Sequence, residues 1–151
     1  MARLTKALKS HARIGLDTSV FIYHVEDHPR YRELTQEILG AVEDGRPSGV
    51  TSVVTLMELT VHAWREGRSA VARQYEALLV HFPHLLLAEV TRDVARRAAQ
   101  LRARYDVRPA DALQAATALV HGATAFITND RRLSRLAPTM DVLVLDDFAA
   151  S

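Results

Sequence analysis

The sequence predicts an α/β fold, a three-layer α/β/α sandwich whose central, mainly parallel sheet has about five short strands. Short apolar and β-branched runs alternate with longer segments in which apolar residues recur at helical spacing. The short runs are almost continuously apolar, as in strands that helices cover on both faces. The 151 residues are 48% hydrophobic and 25% charged, which is the composition expected of one globular domain.

Short apolar runs define the predicted strands. The first, RIGLDTS, runs into Asp17, and the second, SGVTSVV, is rich in β-branched residues. The full set lies at residues 13–19, 48–54, 84–90, 124–128 and 141–147.

Proline, glycine and capping residues separate the predicted helices. Pro29 follows the first helix, Pro83 ends the fourth, and Thr91 caps the fifth. Pro109 suits the first turn of the sixth helix, which ends at Gly122. The helices lie at residues 20–28, 31–45, 55–67, 69–82, 93–105, 110–121 and 130–137. We interpret 13–151 as one domain and 1–12 as an N-terminal extension that forms a frayed helix.

Composition excludes several classes of function. The chain contains no cysteine, which rules out disulfides, thiolate zinc sites, iron–sulfur clusters and a catalytic thiol. No apolar run approaches the roughly 20 residues that span a bilayer, and the basic N-terminus lacks the apolar stretch of a signal peptide. We therefore expect a cytoplasmic protein without a membrane partner.

Several motifs are also missing. The sequence has no Gly-x-Ser-x-Gly elbow, no phosphate loop and no dinucleotide-binding glycine pattern. Ser19 stands where an aspartyl-phosphate phosphatase would carry its general acid. Zinc needs three or four convergent ligands, and the seven histidines do not show that pattern. His62, one turn beyond Glu58, is interpreted as a partly exposed helix residue, with a hydrogen bond to the site as the alternative.

Acidic residues stand where predicted strands end or where a helix returns to the same edge. Asp17 follows the first strand, Glu58 lies one turn into the helix after the second, and Asp130 follows the fourth. Asp111 begins the helix that leads into the fourth strand. Because the carboxyl ends of parallel strands share one edge, the four carboxylates are expected to converge in one crevice.

Each acid taken alone also has a structural explanation. Asp17 and Asp130 can cap helices, and Thr55-Leu56-Met57-Glu58 fits a capping box. Asp111 lies in a first helical turn, where the helix dipole favours negative charge. These explanations account for single residues but not for four acids in one crevice.

Four facing carboxylates repel unless a cation lies between them. Ligands that offer only oxygen suit Mg²⁺, Mn²⁺ or Ca²⁺, and such ions support phosphodiester hydrolysis by activating water and stabilising the leaving oxygen. The net charge of +1 comes from 19 basic and 18 acidic residues, so assigning four acids to metal leaves +5. Arginines at 92–108 and 131–135 then become candidate phosphate contacts, with a solvated helix face as the alternative for the first group.

Four segments carry a family resemblance: LDTSVFIY at 16–23, SVVTLMEL at 52–59, RPADALQAATAL at 108–119 and AFITNDRRL at 125–133. In this order and spacing they resemble PIN-domain proteins, most closely the VapC toxins of type II toxin–antitoxin modules. The resemblance implies a PIN-like sandwich and endoribonuclease activity that depends on Mg²⁺ or Mn²⁺.

The resemblance also assigns site residues and partners. It implies that Asp17, Glu58, Asp111 and Asp130 are the catalytic metal ligands. Ser19 and Thr128 match the hydroxyl positions that orient the first and last acids, and Asn129 is a further supporting residue. The implied partners are RNA as substrate, a second copy in a homodimer, and an antitoxin whose tail lies across the acidic groove and through which the complex binds operator DNA.

One position departs from the family pattern: Arg132 stands where many members carry a further acid. Two alternatives to the toxin hypothesis stay open at this point. One is an RNA-processing nuclease without a toxin role, and the other is a non-catalytic binding module that retains the fold.

Overall fold

The computed structural model describes residues 2–149, which form a five-stranded sheet with helices on both faces. The strands are β1 Arg13–Leu16, β2 Ser48–Ser52, β3 Leu85–Ala88, β4 Ala125–Thr128 and β5 Asp141–Val144. The α-helices are α1 Ala2–Lys9, α2 Thr18–Val25, α3 Arg32–Glu43, α4 Val53–Arg65, α5 Ser69–His81, α6 Arg92–Tyr105 and α7 Pro109–Val120. Two 3₁₀ helices follow β4 and β5, at Arg131–Leu136 and Leu145–Asp147.

The sheet has the strand order β3-β2-β1-β4-β5, and every neighbouring pair is parallel. In its register, Gly15 of β1 lies opposite Val50 of β2 and Phe126 of β4. The chain reverses its direction of winding between β1 and β4, and open parallel sheets bind ligands at the carboxyl edge beside such a reversal. The predicted α/β/α sandwich is confirmed.

Two apolar cores fill the spaces between the sheet and its helices. In one core, the five helices from α1 through α5 pack against strand side chains such as Ile14 of β1 and Ile127 of β4. The other joins α6 and α7 to Val50 and Phe126. Successive strand residues point to opposite faces, so the central strand β4 contributes Ile127 to the first core and Phe126 to the second.

Gly15 allows α7 to lie directly against the middle of the sheet. A Cβ atom at this position would lie 2.5 Å from Cβ of Ala118 and 2.9 Å from the ring of Phe126. No side chain fits into that space without movement of the helix. The contact therefore sets the distance between β1 and the helix that begins near Asp111.

The N-terminal segment differs from the frayed helix that the sequence predicts. Helix α1 buries Leu4 and Leu8 almost completely in the first core, and His11 contacts Thr124 and Asp141 at 2.7 and 3.1 Å. A helix of this length is not stable by itself, and the burial of the two leucines stabilises it.

All five predicted strands are shorter in the structure, and local contacts show why for β2 and β5. Strand β2 ends at Ser52, whose side chain caps α4 by accepting a hydrogen bond from the backbone of Val54. Strand β5 ends at Val144, because Asp146 turns back to bind Asn129. The longest helix within residues 2–149 has 14 residues, and none is both long and apolar enough to cross a bilayer.

Candidate active site

Asp17 lies at the centre of the carboxyl edge, where β1 ends and α2 begins. One carboxylate oxygen accepts a hydrogen bond from the backbone N–H of Thr18 at 2.8 Å. The other accepts one from the hydroxyl of Thr128, at the end of β4, at 2.7 Å. Asp17 therefore caps a helix, as the structural explanation predicted, and also joins the two central strands.

Burial raises the pKa of Asp17 to about 6. The hydrogen bonds from Thr128 and Thr18 oppose this rise, and the negative charges of Asp111 and Glu58 add to it. The charges of Glu58 and Asp111, which are carried by different elements, therefore both act on Asp17. Repulsion of this kind is also the condition under which a cation would be bound.

Glu58 lies in the second turn of α4 and points toward α2 and α7. Its carboxylate accepts a hydrogen bond from the hydroxyl of Thr18 at 2.6 Å and contacts the amide of Gln114 at 3.3 Å. The capping-box interpretation is wrong, because α4 begins two residues before Thr55 and is capped by Ser52.

A chain of buried polar groups underlies Glu58, and the sequence reasoning missed it. The amide of Gln114 donates to Thr55 at 2.9 Å, and Thr55 contacts Thr51 at 2.8 Å. Thr51 in turn donates to the carbonyl of Leu16 at 2.8 Å. Gln114 is an amide in a helix rich in alanine, one turn after Asp111, and this contrast was the signal that could have identified it.

The other two acids lie closer to solvent and are paired with arginine. Arg108 donates to Asp111 at 3.0 Å and to Asp130 at 3.2 Å, so one guanidinium joins both carboxylates. Arg132 binds Asp130 through two further hydrogen bonds, of 3.0 and 2.8 Å. The side chains of Asp111 and Asp130 are 16% and 24% exposed, whereas both arginines are more than half exposed.

The pKa of Asp130 is lowered by arginine, whereas the pKa of Asp17 is raised by burial. The hydrogen bonds from Arg132 lower the pKa of Asp130, burial opposes them, and the charges of Arg132 and Arg108 lower it further. Asp130 also caps the following 3₁₀ helix by accepting from the backbone of Arg132, as its structural explanation predicted.

The supporting residues that the sequence proposed occupy different surroundings. Thr128 contacts both ends of the site, since its hydroxyl donates to Asp17 and accepts from the backbone of Asp130 at 3.0 Å. Asn129 donates to the hydroxyl of Tyr23 at 3.1 Å and accepts from the backbone of Asp146 at 3.0 Å. The hydroxyl oxygen of Ser19 is buried and has no hydrogen-bond partner within residues 2–149.

The donor set fits a hard divalent cation, although the carboxylates are not assembled around one point. Asp17, Glu58 and Asp111 offer only oxygen as ligands, and the charges of Glu58 and Asp111 act on Asp17. In the described part of the chain, no three acidic or histidine side chains stand close enough together to hold a metal ion. His62 is 82% exposed and pairs with Glu66, as the sequence interpretation of an exposed helix residue predicted.

Two clefts open beside the acids. One, of about 150 Å³, is lined by Asp111 together with Arg108, Arg132 and Arg135. The other, of about 170 Å³, runs between α2, α4 and α5 beside Glu58. A larger hollow of about 580 Å³ lies between α1 and α3 and is lined by none of the four acids.

The structure is thus an α/β protein whose all-parallel sheet carries acidic residues at its winding reversal. A model of the PIN domain family matches residues 14–138, and the chain belongs to that family. A search of curated proteins finds no match.

Solved structures with this fold include chains of toxin–antitoxin complexes. DNA-bound VapBC from Salmonella typhimurium is 23% identical, with a TM-score of 0.66, and the match covers 88% of this chain and 98% of that one. VapBC2 from Rickettsia felis, bound to promoter DNA, is 16% identical, with a TM-score of 0.68 and coverage of 86% and 96%. A VapBC family member from Mycobacterium tuberculosis is 27% identical, with a TM-score of 0.59 and coverage of 88% and 98%.

Proposed function

We propose that this protein is an endoribonuclease that depends on Mg²⁺ or Mn²⁺ and hydrolyses RNA phosphodiester bonds. The observation that carries the proposal is that Thr18 donates hydrogen bonds to both Asp17 and Glu58 at the winding reversal of a PIN-domain sheet, where the charge of Asp111 also acts on Asp17. Three elements bring these acids together. The raised pKa of Asp17 means that its ionised form costs free energy at neutral pH, and a bound cation would offset that cost.

The residues of the chain have distinct roles in this proposal. Asp17, Glu58, Asp111 and Asp130 hold the cation, which when bound supplies an activated water and charge neutralisation at the phosphate. Thr128 and the backbone of Thr18 fix both oxygens of Asp17 toward the crevice. Hydrolysis by water leaves a 3′-hydroxyl and a 5′-phosphate, because the 2′-hydroxyl of the RNA takes no part.

We propose further that this nuclease acts in the cytoplasm as the toxin of a type II toxin–antitoxin pair. Solved structures that share its fold include a toxin–antitoxin complex and VapBC complexes bound to DNA. The groove beside Glu58 is lined by apolar residues such as Ile22 and Tyr75. It suits the tail of an antitoxin that covers the acids, and operator DNA would be bound through the antitoxin.

An exposed apolar stripe on α4 supports a homodimer. Met57, Val61 and Trp64 recur at helical spacing and are 58%, 38% and 51% exposed. Their contiguous apolar surface on the outside of a helix suits burial against a second copy. Sedimentation of the purified protein measures the dimer, and Trp64→Glu is expected to shift it toward monomer.

RNA cleavage by the purified protein tests the nuclease proposal. We expect cleavage with Mg²⁺ or Mn²⁺, none with EDTA, and products whose new 5′ ends accept ligation without prior phosphorylation. Asp17→Asn is expected to be inactive while still folded by circular dichroism. Cleavage by Asp17→Asn at the wild-type rate would refute the mechanism.

Growth tests separate the toxin from an RNA-processing enzyme. Expression of the wild-type protein is expected to arrest growth, and co-expression of the small reading frame beside its gene is expected to restore it. Cleavage in vitro without any growth arrest would favour a processing enzyme. Absence of Mn²⁺ binding in calorimetry would favour a binding module.

A further inference from the structure

Arg108 spans two carboxylates that come from separate elements. It is the last residue before α7, and its side chain is 62% exposed. Its Nε atom donates to Asp111 at 3.0 Å, and one terminal nitrogen donates to Asp130 at 3.2 Å. The guanidinium therefore lies between the acid that begins α7 and the acid that follows β4.

The neighbouring arginines of the cleft are held differently. Arg132 binds Asp130 from two residues away and continues the same turn. Arg135 donates to the backbone carbonyls of Tyr105 and Asp106. Within residues 2–149, the hydrogen bonds of the Arg108 side chain are those to the two carboxylates. Its release would therefore free one oxygen of Asp111, whereas the corresponding oxygen of Asp130 would stay bound to Arg132.

A guanidinium and a divalent cation compete for the same oxygens. Paired carboxylates need a positive charge near them, and Arg108 supplies one to Asp111 and Asp130. A metal that binds both acids has to displace it.

We propose that Arg108 is an exchangeable counter-cation of the site. Without metal it bridges Asp111 and Asp130, and when a divalent cation binds it gives up both oxygens and becomes available to an RNA phosphate. The inference rests on the proposed nuclease function. The cleft of about 150 Å³ that Arg108 lines with Arg132 and Arg135 provides a basic surface for that phosphate.

Two opposite effects of one substitution follow. In Arg108→Ala, Mn²⁺ no longer displaces a guanidinium, and we expect it to bind about three- to tenfold more tightly. The same variant lacks a phosphate contact, so its KM for RNA is expected to rise. A residue that merely supported the fold would weaken metal and RNA binding together.

Calorimetry with Mn²⁺ and no RNA measures the first effect. It compares the wild type with Arg108→Ala, with Arg108→Gln, which keeps a polar side chain, and with Arg97→Ala as the matched control. Arg97 is an exposed arginine of α6 that makes no ion pair within the described residues. We expect both Arg108 variants to bind Mn²⁺ more tightly than the wild type, and Arg97→Ala to stay within about twofold of it. Thermal unfolding provides a second readout, since tighter binding increases the rise in Tm that Mn²⁺ causes.

Each contrary result has a defined meaning. Equal or weaker Mn²⁺ binding by both Arg108 variants overturns the inference and leaves the nuclease proposal intact if the wild type binds Mn²⁺ and cleaves RNA. Tighter Mn²⁺ binding with an unchanged KM for RNA overturns the phosphate contact. A wild type and variants that all fail to bind Mn²⁺ overturn the inference together with the proposed function.

Discussion

The four acids of the site fall into two pairs with different surroundings. Asp17 and Glu58 form the inner pair and are held by neutral donors, the hydroxyls of Thr18 and Thr128 and the amide of Gln114. Asp111 and Asp130 form the outer pair and are held by arginine. Neutral donors orient a carboxylate without cancelling its charge, whereas a guanidinium does both. Within the described residues, the negative charge of the inner pair is therefore not neutralised by a cationic side chain, whereas arginine already neutralises the outer pair.

The largest expected effect is the loss of RNA cleavage when a substitution disrupts the inner pair. Asp17→Asn removes the charge at the centre of the site and keeps the size of the side chain. We expect RNA cleavage to fall by more than about 100-fold, since loss of a ligand exceeds the 10- to 100-fold cost of losing a supporting residue. The matched substitution in the outer pair, Asp130→Asn, is expected to cost less. Equal losses in single-turnover cleavage rates would contradict the division into two pairs.

The pH dependence of stability also distinguishes Asp17. Its pKa of about 6 in the folded state lies above the ordinary value of 3.8, so the folded protein binds the proton more tightly. The stability that this contributes is fully present below pH 3.8 and is lost as pH rises through about 6, by at most about 3 kcal/mol.

Urea unfolding of the metal-free protein between pH 4 and 7 measures this loss. Asp17→Asn is expected to remove it, and the variant should be more stable than the wild type at pH 7. An identical pH dependence in the two proteins would show that Asp17 is not the group responsible.

A substitution in β1 tests the contact that carries Asp111 toward the inner pair. Gly15→Ala places a Cβ atom 2.5 Å from Ala118, which has to move with α7. We expect a loss of about 1–3 kcal/mol in the free energy of unfolding. Gly40→Ala is the matched control, because a Cβ atom there meets nothing within 4 Å.

Gln114 tests how far the inner pair depends on its neutral donors. Gln114→Ala leaves Thr55 and Glu58 without the amide, and we expect Mn²⁺ affinity to fall about tenfold. Thr117→Ala, one turn further along α7, removes a buried hydroxyl whose hydrogen bond within residues 2–149 is to the carbonyl of Leu113 in the same helix. Calorimetry should show a loss for Gln114→Ala and none for Thr117→Ala, whereas equal losses would indicate a general weakening of the helix.

The smallest expected effect concerns the outer pair. Arg132→Ala removes the strongest contribution to the lowered pKa of Asp130, which should then rise toward its ordinary value. A titration of the Asp130 carboxyl group by NMR measures this change. The pKa of Asp17 should stay unchanged in the same titration, since Arg132 does not contribute to it. A change in the pKa of both Asp17 and Asp130 would mean that the inner and outer pairs are electrostatically coupled.

The approximate positions of the five strands, and of the acids that follow them, could be predicted because local signals determine them. Short apolar runs between proline and glycine define the strands, and a parallel sheet brings the residues after β1 and β4 to one edge. The burial of Leu4 and Leu8 could not be predicted, since a short helix gains its order from the core that receives it.

The side-chain partners of the acids were harder to predict from the sequence than the positions of the acids. The sequence shows Arg108 three residues before Asp111, but the bond to Asp130 depends on the approach of a distant 3₁₀ helix. The Gln114 network likewise joins three elements, and buried polar networks follow tertiary packing rather than local spacing.

The close approach of β1 and α7 at Gly15 means that the geometry of the acidic crevice depends on the spacing between the sheet and its helices. Asp17 begins a helix on one side of the sheet and Asp111 begins a helix on the other, so the gap between their oxygens measures the separation of the two layers. Anything that presses the layers together or wedges them apart by an ångström acts directly on that gap. A protein bound far from the carboxylates, on either outer face, would in this way be able to tune them without touching them.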